Sequence, residues 1–290
     1  SRRTPSRECF ICVGSERCAQ SVIRCYSSEP RAEPDASLDG RPCVQIRLGY
    51  ELSYTFEQAT PVILTLNVHH TRVGDLVQPD QLQSEPSVPL RGYRDGFGNW
   101  CTRLTAPAGK FRIWADAVVN DDGLPDLAPP AGHQAAVDTL PDDTLVYLLG
   151  SRYCETDLLS ELAWKKFAQV PPGRQRVQAI CDFVHGHIRF GYQFASSTKT
   201  AFGAYTQGQG VCRDYAHLAI ALCRCMNIPA RYCTGYLPDI GVPAMDAPMD
   251  FAGWFEAFLA ADWYTFAPRN NQRRIGRILI ARGRDASDVA

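Results

Sequence analysis

The stretch GQGVC, residues 208–212, places a cysteine directly after a glycine-rich turn. Apolar residues recur at helical spacing after it, so the pattern predicts a helix that begins at Cys212 and ends near Met226. A helix N-terminus favours a thiolate over a thiol, because its unpaired N–H groups and its dipole stabilise negative charge. These residue types predict that Cys212 is a nucleophile for attack on a carbonyl group.

The residues beside Cys212 fit the same chemistry. Gly208 and Gly210 permit a sharp turn, and the backbone N–H groups of Val211 and Cys212 are candidate donors to a developing oxyanion. Arg213 adds positive potential next to the sulfur. The alternative is that Cys212 only packs the beginning of a buried helix, as free cysteines commonly do.

Several further elements are predicted around this helix. The spacing of apolar residues predicts helices over 158–170 and 172–190, before the glycine turn. After it, the segments 230–237, 253–260 and 262–268 are predicted strands, and a tight turn joins the last two. The sequence therefore predicts helices packed on an antiparallel sheet.

The composition and the apolar pattern change along the chain and divide it into four predicted regions. Residues 1–42 are rich in Ser, Arg, Pro and Glu and are predicted to be a poorly ordered extension. Alternating apolar runs separated by turn residues predict an antiparallel β-sandwich-like domain over 43–125. Residues 126–150 are predicted to be a linker, and 151–290 the helix-and-sheet core. The fold class is therefore α+β.

Composition narrows the classes of function. The formal net charge is −1 over 290 residues, which argues against a surface for nucleic acid. No run of eighteen apolar residues is present and no apolar signal segment precedes the first domain, so neither a membrane partner nor secretion is expected. Twelve cysteines in a long chain of this kind favour a reduced, cytoplasmic protein.

No metal or other cofactor is expected. Cys9, Cys12, Cys18 and Cys25 begin with a CxxC pair but lack a matching second pair, so their spacing is not typical of a zinc site. There is also no cluster of acidic residues of the kind that binds calcium. The oligomeric state is left open by the sequence.

The segment GQGVCRDYAHLAIALCRCMNIPARYCTGY, residues 208–236, resembles the transglutaminase-like superfamily. The similarity extends to TAFGAY (200–205) and to DFAGWFEAFLAADWYTFAPRNN (250–271). Together with the N-terminal β-rich region, the pattern is similar to bacterial members with an N-terminal β domain. The resemblance implies a papain-like fold, a Cys-His-Asp site and acyl transfer from peptide or protein substrates, with no metal required.

Two positions depart from the family pattern. Members usually read F-H-A-W-x-E on one strand and F-D-P on the next, whereas this chain reads FAGWFE (251–256) and FAP (266–268). The resemblance therefore places Ala252 in the histidine position and Ala267 in the aspartate position. Neither side chain can accept or orient a proton.

Other residues are weaker candidates for the missing roles. Asp250 lies two residues before Ala252 and is the nearest plausible acid or base, and Tyr205 is a candidate for lining the cleft. His217 is expected to point away from the helix N-terminus, since it lies five residues after Cys212. We expect no histidine of the chain to replace the one that is missing, and the six are His69, His70, His133, His185, His187 and His217.

Two hypotheses follow. The first is a transglutaminase-like acyl transferase or peptidase with an incomplete triad, weakly active or inactive on peptide amides. The second is a non-catalytic scaffold of the same fold that binds a peptide or protein. Ala252 and Ala267 favour the second on mechanistic grounds, whereas the resemblance favours the first.

Overall fold

The structure is a computed structural model, and it describes residues 44–130, 134–243 and 250–289. The predicted extension over 1–42 and His133 lie outside these residues. The described chain divides into two compact units. The first comprises residues 44–125, 235–243, 250–251 and 274–281, and the second comprises the remaining described residues.

Two antiparallel sheets form the first unit. One has the order β1-β7-β3, with β4 also paired to β7, and the other has the order β2-β6-β5. The long strands β1 and β7 pair along their whole length, from Val44 opposite Asp121 to Phe56 opposite Gly109. The strands are β1 (Val44–Phe56), β2 (Thr60–Leu64), β3 (Leu76–Gln78), β4 (Gln83–Glu85), β5 (Arg91–Arg94), β6 (Trp100–Ala106) and β7 (Gly109–Asp121).

The two sheets share one apolar core. Inward residues alternate with outward ones along β7, as a strand with one buried face requires. Leu52 of β1 and Ile113 of β7 meet Leu64 of β2 and Leu104 of β6 in a single buried cluster. The prediction of a β-sandwich-like N-terminal region is confirmed by this arrangement.

A tight hairpin connects β5 and β6. Asp95 begins the turn, and its carboxylate accepts hydrogen bonds from the N–H groups of Phe97 and Asn99, at 2.8 and 2.9 Å. Gly98 has a φ of +83°, a conformation that favours glycine. The sequence DGFGN, residues 95–99, thus forms a tight turn.

Four helices and the remaining strands follow in the chain. Short 3₁₀ helices occupy Val137–Thr139 and Asp142–Leu148 inside the segment predicted as a linker. A four-stranded sheet has the order β12-β11-β10-β13. The elements are α1 (Thr156–Phe167), α2 (Arg174–His187), β8 (Arg189–Phe190), α3 (Ala201–Gln207), β9 (Gln209–Gly210), α4 (Cys212–Cys225), β10 (Ala230–Tyr236), β11 (Ala252–Leu259), β12 (Asp262–Phe266) and β13 (Ile278–Gly283).

Helix α4 is the centre of the second unit. Every residue from Asp214 to Arg224 is buried, which is unusual for a helix with charged residues. Helices α1, α2 and α3 and strand β11 all pack against α4. The fold class predicted from the sequence, helices on an antiparallel sheet after a β-rich region, is confirmed.

None of the helices in the described part of the chain combines the length and the apolar character that crossing a membrane would require.

Candidate active site

The glycine turn delivers Cys212 to the first position of α4. Gly208 ends α3 with a φ of +60°, in the left-handed region. A Cβ atom at Gly210 would lie 2.5 Å from the Asp214 carboxylate, so only glycine fits there. Asp214 in turn accepts a hydrogen bond from the Val211 N–H at 2.9 Å and closes the first turn of the helix.

The hydrogen bond to Asp214 occupies the backbone N–H of Val211, one of the candidate donors to an oxyanion. Because the Val211 N–H already points at Asp214, that group is engaged inside the turn instead of facing an incoming carbonyl oxygen. Asp214 is fully buried. Burial raises the pKa of its carboxyl group, and the Val211 hydrogen bond, Arg213 and Lys199 partly offset that effect.

Arg213 secures the neighbouring loop. Its Nη2 donates to the Ser196 carbonyl oxygen, and its Nε lies 3.8 Å from Oδ1 of Asp214. The guanidinium also lies over the ring of Tyr153, 5.4 Å from its centroid. Arg213 therefore contributes positive charge beside Cys212. Its side chain also holds the loop that contains Ser196 to α4.

Strand β11 meets the sulfur directly. The N–H of Gly253 donates to the Sγ of Cys212 at 3.4 Å, across 41 residues of sequence. A Cβ atom at Gly253 would lie 2.6 Å from the Tyr232 hydroxyl oxygen and 3.4 Å from the Arg213 Cα. The absence of a side chain at 253 therefore permits the close approach of β11 to the beginning of α4.

Tyr232 completes this side of the site. Burial raises the pKa of its hydroxyl well above the usual value, and the nearby Cys212 sulfur raises it further. The phenol is therefore neutral at physiological pH. Cys212 itself is half-buried.

Ala252 and Ala267 lie at the same end of the β11–β12 hairpin. Ala252 is the first residue of β11, and Ala267 follows the last residue of β12. The antiparallel pairing of Phe255 with Phe266, continued by one residue, sets Ala267 opposite Trp254. Since side chains alternate along a strand, Ala252, Trp254 and Ala267 share one face. Ala252 is also bonded to Gly253, whose N–H meets the sulfur.

The loop after β12 is tied to α2. The Ala267 carbonyl oxygen accepts from the N–H groups of Asn270 and Asn271, at 3.1 and 2.8 Å. The Asn271 side chain bridges Gln178 and Asp182 of α2, at 2.9 and 2.7 Å. Ala267, the predicted aspartate position, therefore lies in a loop that hydrogen bonds hold to α2.

Two further candidates have other surroundings. Asp250 precedes β11, and its Oδ1 accepts from the N–H of Phe251 at 2.7 Å. The ring of Tyr205 stacks on His187 with centroids 5.0 Å apart, and His187 Nε2 lies 2.6 Å from the Tyr205 carbonyl oxygen. Tyr205 is thus part of an aromatic stack on α2 and α3. Its role in a cleft stays a prediction.

The histidines on α2 and α4 are also placed by the structure. His185 is exposed, with Nδ1 3.0 Å from the Pro268 carbonyl oxygen. His217 is fully buried, and its Nε2 accepts from the Ala286 N–H at 3.1 Å. Its ring stacks on Tyr153, with centroids 5.2 Å apart, and contacts Tyr232. His217 therefore ties α4 to the last described residues of the chain.

Burial of His217 predicts a loss of stability in acid. Desolvation and the positive charges of Arg213 and Arg224 lower the pKa of His217 to about 3. The negative charge of Asp285 raises it and offsets part of this effect. Between about pH 6.5 and 3 the unfolded chain binds a proton at this residue and the folded chain does not, so stability falls as the pH falls. We expect His217 to contribute on the order of 2 kcal/mol of this loss between pH 7 and 4.5.

Urea unfolding at both pH values measures this effect. His217→Gln is expected to be less stable at pH 7 but to lose less stability on acidification than the native chain. The matched control is His185→Gln, at the exposed histidine of α2. An acid sensitivity unchanged in His217→Gln would contradict the assignment of a neutral buried imidazole.

No group of three or more histidine, cysteine, aspartate or glutamate side chains is placed to hold a metal ion within residues 44–130, 134–243 and 250–289. The four N-terminal cysteines considered above lie outside these ranges.

Part of the chain is similar to a known protein family and to a solved structure. Residues 162–268, which include Cys212, Ala252 and Ala267, match the model of the transglutaminase-like superfamily. The chain contains a transglutaminase-like domain. A crystal structure of a proposed cysteine protease from Cytophaga hutchinsonii is similar to it, with a TM-score of 0.70 and 29% identity over 86% of each chain.

Bacterial relatives extend the similarity beyond the transglutaminase-like domain. An uncharacterized protein of Mycobacterium leprae is 24% identical over 260 residues, which is 85% of this chain and 91% of that protein. An uncharacterized protein of Mycobacterium tuberculosis is 28% identical over 224 residues, 68% of each. The domain and its fold therefore point to the cysteine protease and acyltransferase class of proteins.

Sequence reasoning missed two features of the site. The Gly253 N–H contact with Cys212 was not predicted, although the adjacent small residues Ala252 and Gly253 are the signal for a close backbone approach. Lys199 was also missed; the residue is buried, and its Nζ donates to the carbonyl oxygens of Phe194 and Gln209. A lysine in a Ser/Thr-rich loop gives no such signal in sequence.

Proposed function

We propose that this protein is a transglutaminase-like acyl-transfer or peptidase-type protein with an incomplete triad. One observation carries the proposal: the group of β11 that meets the Cys212 sulfur is the Gly253 N–H, and Ala252 stands next to it. A hydrogen-bond donor stabilises a thiolate but cannot accept the thiol proton. The site therefore keeps its nucleophile and lacks a base at the expected place.

The missing groups matter most for amides. An amide nitrogen must receive a proton before it leaves, and in a cysteine site the histidine imidazolium supplies it. General acid–base catalysis of this kind contributes roughly 10²–10⁴-fold. With Ala252 and Ala267 in the two positions, peptide amides are hydrolysed or transferred weakly or not at all.

The second candidate is a non-catalytic module that binds a peptide or protein. An open polar cavity of about 410 Å³ near α3 supports this candidate, since its size is typical of ligand sites. The net charge of −1 favours a peptide or protein partner over nucleic acid or a membrane.

We also propose a cytoplasmic location. Seven cysteines of the described ranges are free thiols: Cys101, Cys154, Cys181, Cys212, Cys223, Cys225 and Cys233. Free thiols persist in a reducing compartment.

Amide turnover by the native chain tests the proposed function. The protein is incubated with a glutamine peptide and a primary amine, and separately with a mixed peptide library, and products are followed by mass spectrometry. We expect neither cross-linked nor cleaved products above those formed with Cys212→Ser. Multiple turnovers that disappear in Cys212→Ser would overturn the proposal.

A further inference from the structure

A polar cavity lies between α3 and the segment that precedes it. Its volume is about 410 Å³, and it is open to solvent on one side. Residues 193–196 and 198–200 line one part of it, and residues of α3 and β9 line the rest. The side chains that matter for its chemistry are Gln193, Ser196, Thr198, Lys199, Gln207 and Gln209.

Lys199 is the charged residue of the cavity. It is 7% exposed, and its Nζ donates to the carbonyl oxygens of Phe194 and Gln209, at 2.9 and 3.0 Å. An ammonium group has three N–H donors, so two bonds to the protein leave one donor for a ligand. The two carbonyl contacts also hold the ammonium in place, which reduces the ordering that a ligand would need.

The remaining lining is neutral. Of the described residues that line the cavity, none is an aspartate or glutamate. Gln193 and Gln207 are exposed and supply amide donors, and Ser196 and Thr198 supply hydroxyl groups. The carboxyl group of Asp214, whose pKa Lys199 lowers, does not line the cavity. A lining with one fixed cation, no carboxylate and several donors favours a small anionic group.

We propose that this cavity binds a carboxylate group of a small molecule or peptide, with Lys199 as its anchor. A charge-assisted hydrogen bond from a lysine to a carboxylate is stronger than one to a neutral oxygen. The glutamine amides and the hydroxyl groups then hold the adjacent polar atoms of the ligand. A neutral amide of the same shape lacks the charge and binds more weakly.

The cavity is connected to the candidate active site through the backbone. The Ser196 carbonyl oxygen accepts the hydrogen bond from Arg213, the residue after Cys212. Gln209 precedes Cys212 by three residues, so the two Cα atoms are at most about 11 Å apart. The backbone that holds Lys199 at Gln209 is therefore close to Cys212 along the chain, but binding in the cavity requires no chemistry at Cys212.

A comparison of matched probes tests the site. N-acetylglycylglycine carries a terminal carboxylate, and its C-terminal amide is the neutral counterpart. N-acetylglutamate α-amide carries the carboxylate on a side chain and separates the two sources of this group. Titration of the full chain, followed by calorimetry and by NMR, is expected to show at least one carboxylate probe bound roughly tenfold more tightly than the neutral amide.

Two variants keep the test decisive. Lys199→Met should remove the preference for the carboxylate, but it also breaks two loop hydrogen bonds. Gln207→Glu leaves those bonds intact and places a negative charge at an exposed position of the lining, so it should weaken the carboxylate probe several-fold and leave the amide probe unchanged. Gln169→Glu, at an exposed glutamine outside the cavity, is the matched control.

Three outcomes would contradict carboxylate binding in this cavity. Equal affinity for the acid and amide probes in the native chain, or no saturable binding of any probe, would overturn the proposal. So would a Gln207→Glu variant that behaves like Gln169→Glu. Since binding is measured without turnover, these results are distinct from success or failure of the proposed function.

Discussion

The double variant Ala252→His/Ala267→Asp is expected to hydrolyse p-nitrophenyl acetate at least about 100-fold faster than the native chain. Residue 252 begins β11 beside the Gly253 N–H that touches the Cys212 sulfur. The antiparallel register sets residue 267 on the same face of the hairpin, so a carboxylate there can orient the new imidazole. Steady-state release of p-nitrophenolate measures the gain.

The single variants are the controls for this prediction. Ala252→His alone should gain little, because Ala267 leaves the imidazole unoriented, and Ala267→Asp alone should gain nothing. Cys212→Ser in the double variant should remove the gain. A folded double variant with no increase in rate would contradict the assignment of Ala252 and Ala267 to the two positions, and a full gain from Ala252→His alone would contradict the orienting role of position 267.

Iodoacetamide is expected to modify Cys212 faster than the other described cysteines at neutral pH. Cys212 is half-buried. Its position at the N-terminus of α4 and the hydrogen bond that its sulfur accepts from the Gly253 N–H both favour the thiolate. Burial suppresses two of its competitors, because it raises the pKa of Cys225 to about 11 and of Cys154 to about 12. At pH 7 a thiol with a pKa of 11 has roughly 100-fold less thiolate than one with a pKa of 9.

Peptide mapping of the time course measures the rate at each cysteine. We expect the pH profile of Cys212 to lie below that of an ordinary thiol, whose pKa is about 8.5. A Cys212 rate equal to that of such a thiol would contradict the account of an activated sulfur. Denaturation in urea is the matched control, because it should bring the rates of all the cysteines together.

Local patterns predict most of the fold. The alternation over 44–56 predicts a strand that coincides with β1, Val44–Phe56, because one buried face dictates a period of two. The helix expected from Cys212 to about Met226 is observed as Cys212–Cys225, since the glycine turn and the Asn-Ile-Pro that follows mark its ends. Elements with a clear period and clear ends are thus readable from sequence.

Elements whose ends depend on residues distant in the sequence are not predicted from local patterns. The β-rich run over residues 60–70 shows no end at Leu64 in the sequence, but β2 ends there, where its pairing with Thr102 of β6 ends. The strand β13, Ile278–Gly283, was not predicted, since short strands are specified by the neighbours they pair with. Domain boundaries and the part played by each candidate site residue stay predictions.

The same division applies to the candidate site. Cys212 is found by a local signal, a glycine turn followed by an apolar helix. The Gly253 contact joins residues 41 positions apart, and the buried ammonium of Lys199 depends on carbonyl oxygens of two separate segments. Such features arise from the tertiary fold and leave little trace in one sequence.

The fate of an acyl group on Cys212 tests the central claim most directly, namely that the site keeps its nucleophile and lacks its base. An activated ester needs no proton for its leaving group, so the Cys212 thiolate can attack p-nitrophenyl acetate, release p-nitrophenolate and form a thioester. Without a base to activate water, the thioester should persist. Intact-mass spectrometry of the native chain is expected to show one acetyl group that is absent in Cys212→Ser, with no continued release of p-nitrophenolate. Rapid loss of that acetyl group with many turnovers of the ester would contradict the account.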